Sequence, residues 1–560
     1  MMKTKQFRRR PLAAIFTLTI AACFGLIYGF SGAVSAQEKQ RERVIAKPTP
    51  TVTTTKPTVS PTPTAAPTMT PTATPSPSPA IAVQTIPELQ AKIRSILLRP
   101  QLQRGRVGVK IVSLDTNKVI FEENAEKYFM PASNMKNFTV STALEKLTPE
   151  FRFVTSVYAP AMPDASGTIR GDLIIYGRGD PSISTAFNDK DYYRGMNNLA
   201  EKIVASGVRR VEGALVGDES YFSGDPLPSS WEWDDLQWYY GAEVSALTVN
   251  DNALDLVVRP GSAVGAPASV QLLPSASGVV LVNNTRTSAA GTRRDIGVRR
   301  RLGTNVVEVF GSIPLGAGAY TNYVSVPKPA LVFVSMLRQL LEQKGVVITG
   351  QTRTVDAEFR RSAPLTASLV EVAKLESPPL SLIAAKTMKP SQNLYTELIL
   401  RAMGESVGDK TNPRWTSADR GIAVVDKFLQ EIGVAPGSVL MYDGSGLSRH
   451  DLITPEAVVQ LYSYMNSRSR FAPAWRDSLT IAGVDGTLSS RFKGTRGENN
   501  VRGKTGTIDQ VSSLSGYLTT AAGERLAFSV ITNNLPNGSL RTGTIDEIVT
   551  LLANFNGRTN

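Results

Sequence analysis

The stretch Pro131-Ala132-Ser133-Asn134-Met135-Lys136 decides how this chain is read. Upstream, residues 106–124 have the pattern of a β-hairpin. Downstream, Phe138, Val140, Leu144 and Leu147 recur at helical spacing. Proline just inside a helix start is preorganised for that position, which places Ser133 in the first turn. Residues three apart share a helix face, so the Lys136 amine comes within reach of the Ser133 hydroxyl. A serine hydroxyl is a poor nucleophile without a neighbouring base, and a desolvated lysine can be that base. The pattern points to a serine–lysine enzyme, but it is cheap. Ser490-Arg491-Phe492-Lys493 repeats it among Gly486, Gly494 and Gly497, a loop-like context in which it reads as chance.

Composition narrows the chemistry. With 560 residues the chain can hold two or three domains with proper cores. Its single cysteine, Cys23, leaves no disulfide or thiolate metal site downstream. Its single histidine, His450, excludes a multi-histidine metal site, and any Ser-His-Asp triad would have to use it. His450 reads as a loop residue, and no metal or cofactor is expected. Much of the formal charge of +13 sits in the leader, where Lys3, Lys5, Arg8, Arg9 and Arg10 precede any acid. The mild excess left in the globular part suits an anionic surface such as a cell wall or membrane and calls for no nucleic acid. The cluster Arg293-Arg294 and Arg299-Arg300-Arg301 has two readings, a solvated face and a polymer contact.

Residues 1–36 read as an export signal, with Val34-Ser35-Ala36 as the cleavage site. The apolar run of residues 12–36 is also long enough to anchor the protein in a membrane if left uncut, and Ile20-Ala21-Ala22-Cys23 resembles a lipidation box. Each reading puts the bulk of the chain outside the cytoplasm. Residues 37–84 form a Pro/Thr-rich linker that cannot bury a core, either a semi-rigid spacer or a leader without a role. From residue 85 come a helix, the hairpin and the Ser133 helix. Residues 151–374 read as β-rich inserted material, with short strands between Gly, Asn and Asp turns. Helical patterns return over residues 380–388, 393–403 and 417–432, and a hairpin (512–518 with 525–533) and a helix close the chain. The simplest architecture is an α/β catalytic domain built from residues 85–150 and 375–560, interrupted by one or two β-rich domains.

Two further stretches make the Ser133 reading specific. In Lys389-Pro390-Ser391-Gln392-Asn393-Leu394 a proline breaks one helix and Ser-x-Asn begins the next. In Val501-Arg502-Gly503-Lys504-Thr505-Gly506-Thr507, an extended chain puts Lys504 and Gly506 on one face, Thr505 and Thr507 on the other. Gly503-Lys504-Thr505 is no phosphate loop, because the earlier glycine that motif requires falls at Glu498. Gly444-Ser445-Gly446 likewise lacks the full spacing of a nucleophile elbow. Ser-x-x-Lys, Ser-x-Asn and Lys-Thr-Gly, in that order, resemble the signature set of penicillin-binding proteins and serine β-lactamases. The long interval from Lys136 to Ser391 is larger than in compact β-lactamases. Together with Gly179-Asp180-Pro181-Ser182, Asp443-Gly444-Ser445-Gly446-Leu447-Ser448 and Ala482-Gly483-Val484-Asp485-Gly486-Thr487-Leu488, it resembles the D-alanyl-D-alanine carboxypeptidase/endopeptidase family of penicillin-binding protein 4 type, peptidase family S13.

The resemblance implies a β-lactamase/transpeptidase-like α/β fold, an antiparallel sheet flanked by helices. It implies that Ser133 is the acylated nucleophile and Lys136 its base. Ser391 would relay a proton to the leaving D-alanine, and Asn393 would hold Lys136 and the substrate backbone. Lys504, Thr505 and Thr507 would bind the terminal carboxylate, and the backbone N–H groups of Ser133 and Thr507 would hold the oxyanion. Gly506 fits the need for close approach of that strand to substrate, and burial beside Lys504 is expected to lower the Lys136 pKa. Asp235 and Tyr240, in the loop that starts at Trp231, stand where similar proteins meet the diaminopimelate end of the substrate; the other reading is an aromatic loop packed on the insert. The function implied is D-Ala-D-Ala carboxypeptidase action on peptidoglycan stem peptides, with endopeptidase action on cross-bridges as an extension and β-lactams as covalent inhibitors. The alternatives are a serine β-lactamase and a non-catalytic wall-binding relative.

Overall fold

Strands from both ends of the described residues meet in one sheet. The computed structural model describes residues 84–559 apart from 276–277, 302 and 367, so the signal or anchor, the linker to residue 83 and Cys23 lie outside the described residues. The six strands run in the order Thr480–Ile481, Arg502–Ile508, Val511–Thr519, Arg525–Asn533, Arg106–Ser113 and Val119–Glu123. Every neighbouring pair is antiparallel, and Val109 and Ile111 stand opposite Val530 and Phe528.

The period-2 alternation of these strands gives the sheet two different faces. Val107, Val109, Ile111, Leu514, Phe528 and Val530 line one face and pack on the helices Ile86–Leu97 and Gly538–Asn554. The first of these helices starts with a capping box, Thr85 with Glu88, and buries Leu89, Ile93 and Ile96. The opposite face carries smaller groups, Ala527, Ser529, Ser513 and Ser515, and this lets helices come close to it. Lys136–Leu147 is the central helix there. It shares one core with Leu380–Met388, Asn393–Val407, Ser417–Glu431, Pro455–Ser467 and Ala472–Ser478. The fold of these segments is α/β, an antiparallel sheet between helical layers.

The middle of the chain is less purely β than its sequence suggests. A five-stranded sheet, ordered Thr352–Val355, Leu215–Asp218, Leu173–Tyr176, Val154–Ala159 and Val370–Glu376, packs with the helices Arg194–Ala205 and Pro329–Gln343. Its first three strands are parallel neighbours, and parallel neighbours need long crossovers, which these two helices occupy. Only residues 253–325 are all strand and turn, in two three-stranded sheets around Leu256, Val258, Val309 and Ile313. The arginine cluster is divided by this packing. Arg299 is exposed and pairs with Glu308 at 2.6 Å, whereas Arg300 is buried with Glu243 3.8 Å away. Among the described residues no helix is long and apolar enough to cross a membrane.

Phe528 sits fully buried in the strand that joins the two ends of the chain. Phe528→Ala is expected to cost about 3–5 kcal/mol, read as a lower urea midpoint; a loss under about 1 kcal/mol would place this side chain outside the core.

Candidate active site

The segment Ala132–Met135 is a turn of 3-10 helix that runs directly into the helix Lys136–Leu147. Between residues 131 and 144 only Ser133 escapes burial. Ala132 has φ +47°, a left-handed conformation uncommon for a residue with a Cβ, so the turn is held from outside. Asn134 Nδ2 donates to the Ser513 hydroxyl at 2.6 Å and to the Lys504 carbonyl at 3.1 Å, and Ser513 Oγ donates to the Pro131 carbonyl at 2.9 Å. The small face of the sheet thus fixes the turn. A Cβ on Gly506 would lie 2.6 Å from the Pro131 carbonyl and 3.0 Å from the Ser133 nitrogen. The close approach that requires this glycine is therefore made to the Ser133 turn.

Lys136 is fully buried, and its Nζ has three oxygen neighbours: Ser133 Oγ at 2.9 Å, Asn393 Oδ1 at 2.6 Å and the Ser445 carbonyl at 2.6 Å. A neutral amine has two N–H donors and one lone pair. The amide and peptide carbonyls can only accept, so they take the two N–H groups, and the lone pair is left for the Ser133 hydroxyl. Burial lowers the Lys136 pKa to about 7, against the opposing pull of Asp443, Glu397 and Asp451. Burial also pushes Glu397 up to about 8 and Asp451 well above the usual carboxylate range, which weakens that pull. Lys504, fully buried like Lys136, is lowered well below the ordinary range by burial first and by the Lys136 charge second. Desolvation, not repulsion from Lys504, is thus the cause for Lys136.

Ser391 and Asn393 occupy the junction between the helices Leu380–Met388 and Asn393–Val407. Ser391 is left-handed, with φ +64°, and its hydroxyl accepts from Lys504 Nζ at 2.8 Å. Lys504 Nζ also donates to the Thr505 carbonyl at 2.8 Å. Thr505 Oγ1 lies 2.6 Å from Thr487 Oγ1, while Thr507 is exposed. Asn393 is committed at both ends of its amide, because Nδ2 donates to the Tyr240 carbonyl at 2.9 Å. That donor was expected to face the substrate backbone; here it holds the loop from the middle of the chain.

The structure brings Ser133, Lys136, Ser391, Asn393, Lys504, Thr505 and Gly506 together. Tyr240 joins them through its backbone, with its ring partly exposed against Tyr239. Asp235 is buried in the same loop at 4% exposure. Ser490 and Lys493 are both exposed on turns far along the surface of residues 489–500 and form no such pair. His450 packs edge-to-face on Tyr442.

Sequence reasoning missed the support of Ser445. The Asp443 carboxylate accepts from the backbone N–H groups of Ser445 at 2.9 Å, Gly446 at 2.5 Å and Ser448 at 2.8 Å, and from Trp231 Nε1 at 2.7 Å. Asp443 thereby aims the Ser445 carbonyl at Lys136 and ties down the loop that carries Tyr240. The only sequence signal was the Asp443-Gly444-Ser445-Gly446 run itself. Among the described residues no cluster of His, Cys, Asp and Glu is arranged to hold a metal.

The model of the D-Ala-D-Ala carboxypeptidase 3 (S13) family matches residues 89–555. The D-alanyl-D-alanine carboxypeptidase of Actinomadura sp. (strain R39) is 34% identical over 486 residues, which span 84% of this chain and 86% of that protein. The crystal structure of penicillin binding protein 4 (dacB) from Haemophilus influenzae has the same fold, with a TM-score of 0.69 and 23% identity over 82% of this chain and 97% of that one. The form of that protein complexed with a β-lactam aligns with a TM-score of 0.66 and 22% identity over 83% of this chain and 98% of that one.

The state of Lys136 gives the site a pH dependence. The amine is a base only when unprotonated, so acylation of Ser133 should rise with pH through a limb near pH 7 and fall away in acid. An ordinary lysine would put that limb about three pH units higher. Stopped-flow acylation rates from pH 5 to 10 measure it, and a limb near 10 would mean that Lys136 is not the base.

Proposed function

The chain belongs to the D-Ala-D-Ala carboxypeptidase 3 (S13) family, and we propose that it releases the terminal D-alanine of peptidoglycan stem peptides through an ester on Ser133. It is a serine-type D-Ala-D-Ala carboxypeptidase. The supporting observation is the Lys136 amine, buried, 2.9 Å from the one accessible hydroxyl of its helix, with two carbonyls taking its N–H groups.

Ser133 Oγ attacks the carbonyl carbon of the penultimate D-alanine as its proton passes to Lys136 Nζ. The oxyanion sits against the backbone N–H groups of Ser133 and Thr507. The C–N bond then breaks as the proton held by Lys136 is relayed through Ser391 to the leaving amine, which leaves the Ser391 hydroxyl intact and Lys136 neutral again. Water attacks the ester as its proton passes to Lys136, and the stem-peptide acid leaves as Lys136 returns that proton to Ser133 Oγ. Lys504, with Thr505 and Thr507, takes the terminal carboxylate, and that anion favours the charged form of a lysine that is otherwise lowered. The loop that carries Asp235 and Tyr240 faces the third residue of the stem, with Tyr240 partly exposed and Asp235 buried. Residues 85–150 and 375–560 act as the catalytic domain and the middle as an insert. Because its substrate is outside the cytoplasm, so is the enzyme.

β-Lactams present a strained amide in place of D-Ala-D-Ala and acylate the same oxygen. Mass spectrometry after penicillin treatment should locate one adduct on the Ser133 peptide, and Ser133→Ala should lose both the adduct and D-alanine release from a D-Ala-D-Ala peptide. An adduct on Ser490, or full hydrolysis by the alanine variant, would refute the assignment.

A further inference from the structure

The middle of the chain reaches the active site at a second point besides Tyr240. The turn Asn250–Asn252 has three successive left-handed residues, at φ +47°, +60° and +49°. Such conformations disfavour residues with a Cβ; asparagine and aspartate tolerate them best, and a run of three persists only where the surroundings hold it. They do so here. Asn250 donates from its backbone to the Ile183 carbonyl at 2.9 Å and from Nδ2 to the Tyr192 carbonyl at 3.0 Å. Asn252 Nδ2 donates to the Glu243 carbonyl at 2.8 Å, and the Asn252 carbonyl accepts from Val326 N at 2.9 Å.

What the turn achieves is the placement of one carboxylate. Asp251 Oδ2 accepts from Gln392 Nε2 at 3.1 Å, and Oδ1 accepts from the Tyr395 hydroxyl at 2.5 Å. Tyr395 OH lies in turn 2.8 Å from Ser184 Oγ. Gln392 is the middle residue of Ser391-Gln392-Asn393. Its Oε1 accepts from Leu394 N at 3.3 Å, its N donates to the Thr387 carbonyl at 2.8 Å, and its own carbonyl accepts from Thr396 Oγ1 at 2.9 Å. Gln392, Tyr395 and Ser184 are each at most 3% exposed, so water does not replace these partners.

We propose that Asp251 is a positioning residue of the catalytic site, acting through Gln392 to hold the left-handed Ser391 hydroxyl and the Asn393 amide in place. It touches no reacting atom. Ser391 departs from ordinary backbone preference and Asn393 bonds at both ends, so a small rotation at Gln392 moves both together. The proposal rests on the reading of Ser391 and Asn393 given above.

The test separates positioning from bulk stability. Gln392→Glu keeps the size of the side chain but sets a carboxylate against Asp251. It is expected to lower kcat for D-alanine release on the order of tenfold with little change in KM, because a slight misplacement of catalytic groups costs rate. Adding Asp251→Asn restores a donor–acceptor pair with the roles exchanged and should bring kcat back to within about threefold of wild type. Thermal unfolding of each variant is followed in parallel, and Asp251→Asn alone serves as the fallback if Gln392→Glu fails to fold, with a smaller drop in kcat expected. Wild-type kcat in folded Gln392→Glu, or a double variant that regains stability but not kcat, would overturn the proposal; so would wild-type kcat in Asp251→Asn where that variant stands alone. Wild-type protein that neither releases D-alanine nor takes a β-lactam on Ser133 would instead count against the proposed function, before any variant is compared.

Discussion

The site depends on burying the Lys136 amine without leaving it unpaired. An isolated buried ammonium costs several kcal/mol, and the chain meets that cost by lowering the pKa and supplying fixed partners. The partners are arranged so that both protonation states are satisfied. Neutral Lys136 gives its N–H groups to Asn393 Oδ1 and the Ser445 carbonyl and turns its lone pair to Ser133. Protonated Lys136 gives its third N–H to Ser133 Oγ. No side chain has to move between the two states, so the proton transfer needs little reorganisation.

Those partners come from residues 133, 393 and 445, and this requirement explains the shape of the sheet. Strands from residues 106–123 and 480–533 pair directly, with Val109 opposite Val530. The small side chains Ser513, Ser515 and Ser529 on one face let the Ser133 turn sit close enough for Asn134 to reach the Lys504 carbonyl. Larger residues there would lift the turn and break the Asn134 bonds to Ser513 and the Lys504 carbonyl. The hydroxyls stay satisfied inside the protein because they bond to each other and to the Pro131 carbonyl.

What the sequence disclosed, and what it hid, follows from how each partner makes its contact. Ser133, Lys136, Ser391, Asn393 and Lys504 act through side chains in short runs, and those runs were readable together with the helices and strands that carry them. Ser445 acts through a carbonyl, which every residue has, so nothing in its side chain marks it. Asp443 and Asp251 act through other residues, and an isolated aspartate in a turn looks like turn chemistry. The helix Arg194–Ala205 was hidden differently. Met196, Leu199, Ala200 and Ile203 do have helical spacing, but they stand between short strands and turns that give the region its β character. The crossover it serves depends on strand order, which no local pattern records.

The insertion can be understood in the same terms. A helix junction that holds Ser391 at φ +64° and asks Asn393 to bond at both ends is not self-supporting, since a four-residue break between helices has few hydrogen bonds of its own. The middle of the chain meets it with one backbone carbonyl, Tyr240, and one carboxylate, Asp251, while Trp231 secures the same loop to Asp443. These contacts are polar and buried, so each must be fully made or it becomes a liability. Apolar contacts also join the two parts, through Phe153, Phe222, Val244 and Ala246, but such contacts hold with little regard to angle. Directional bonds to the residues around Lys136 fix the angle as well, and the angle is what the proposed proton transfer between Ser133 and Lys136 depends on.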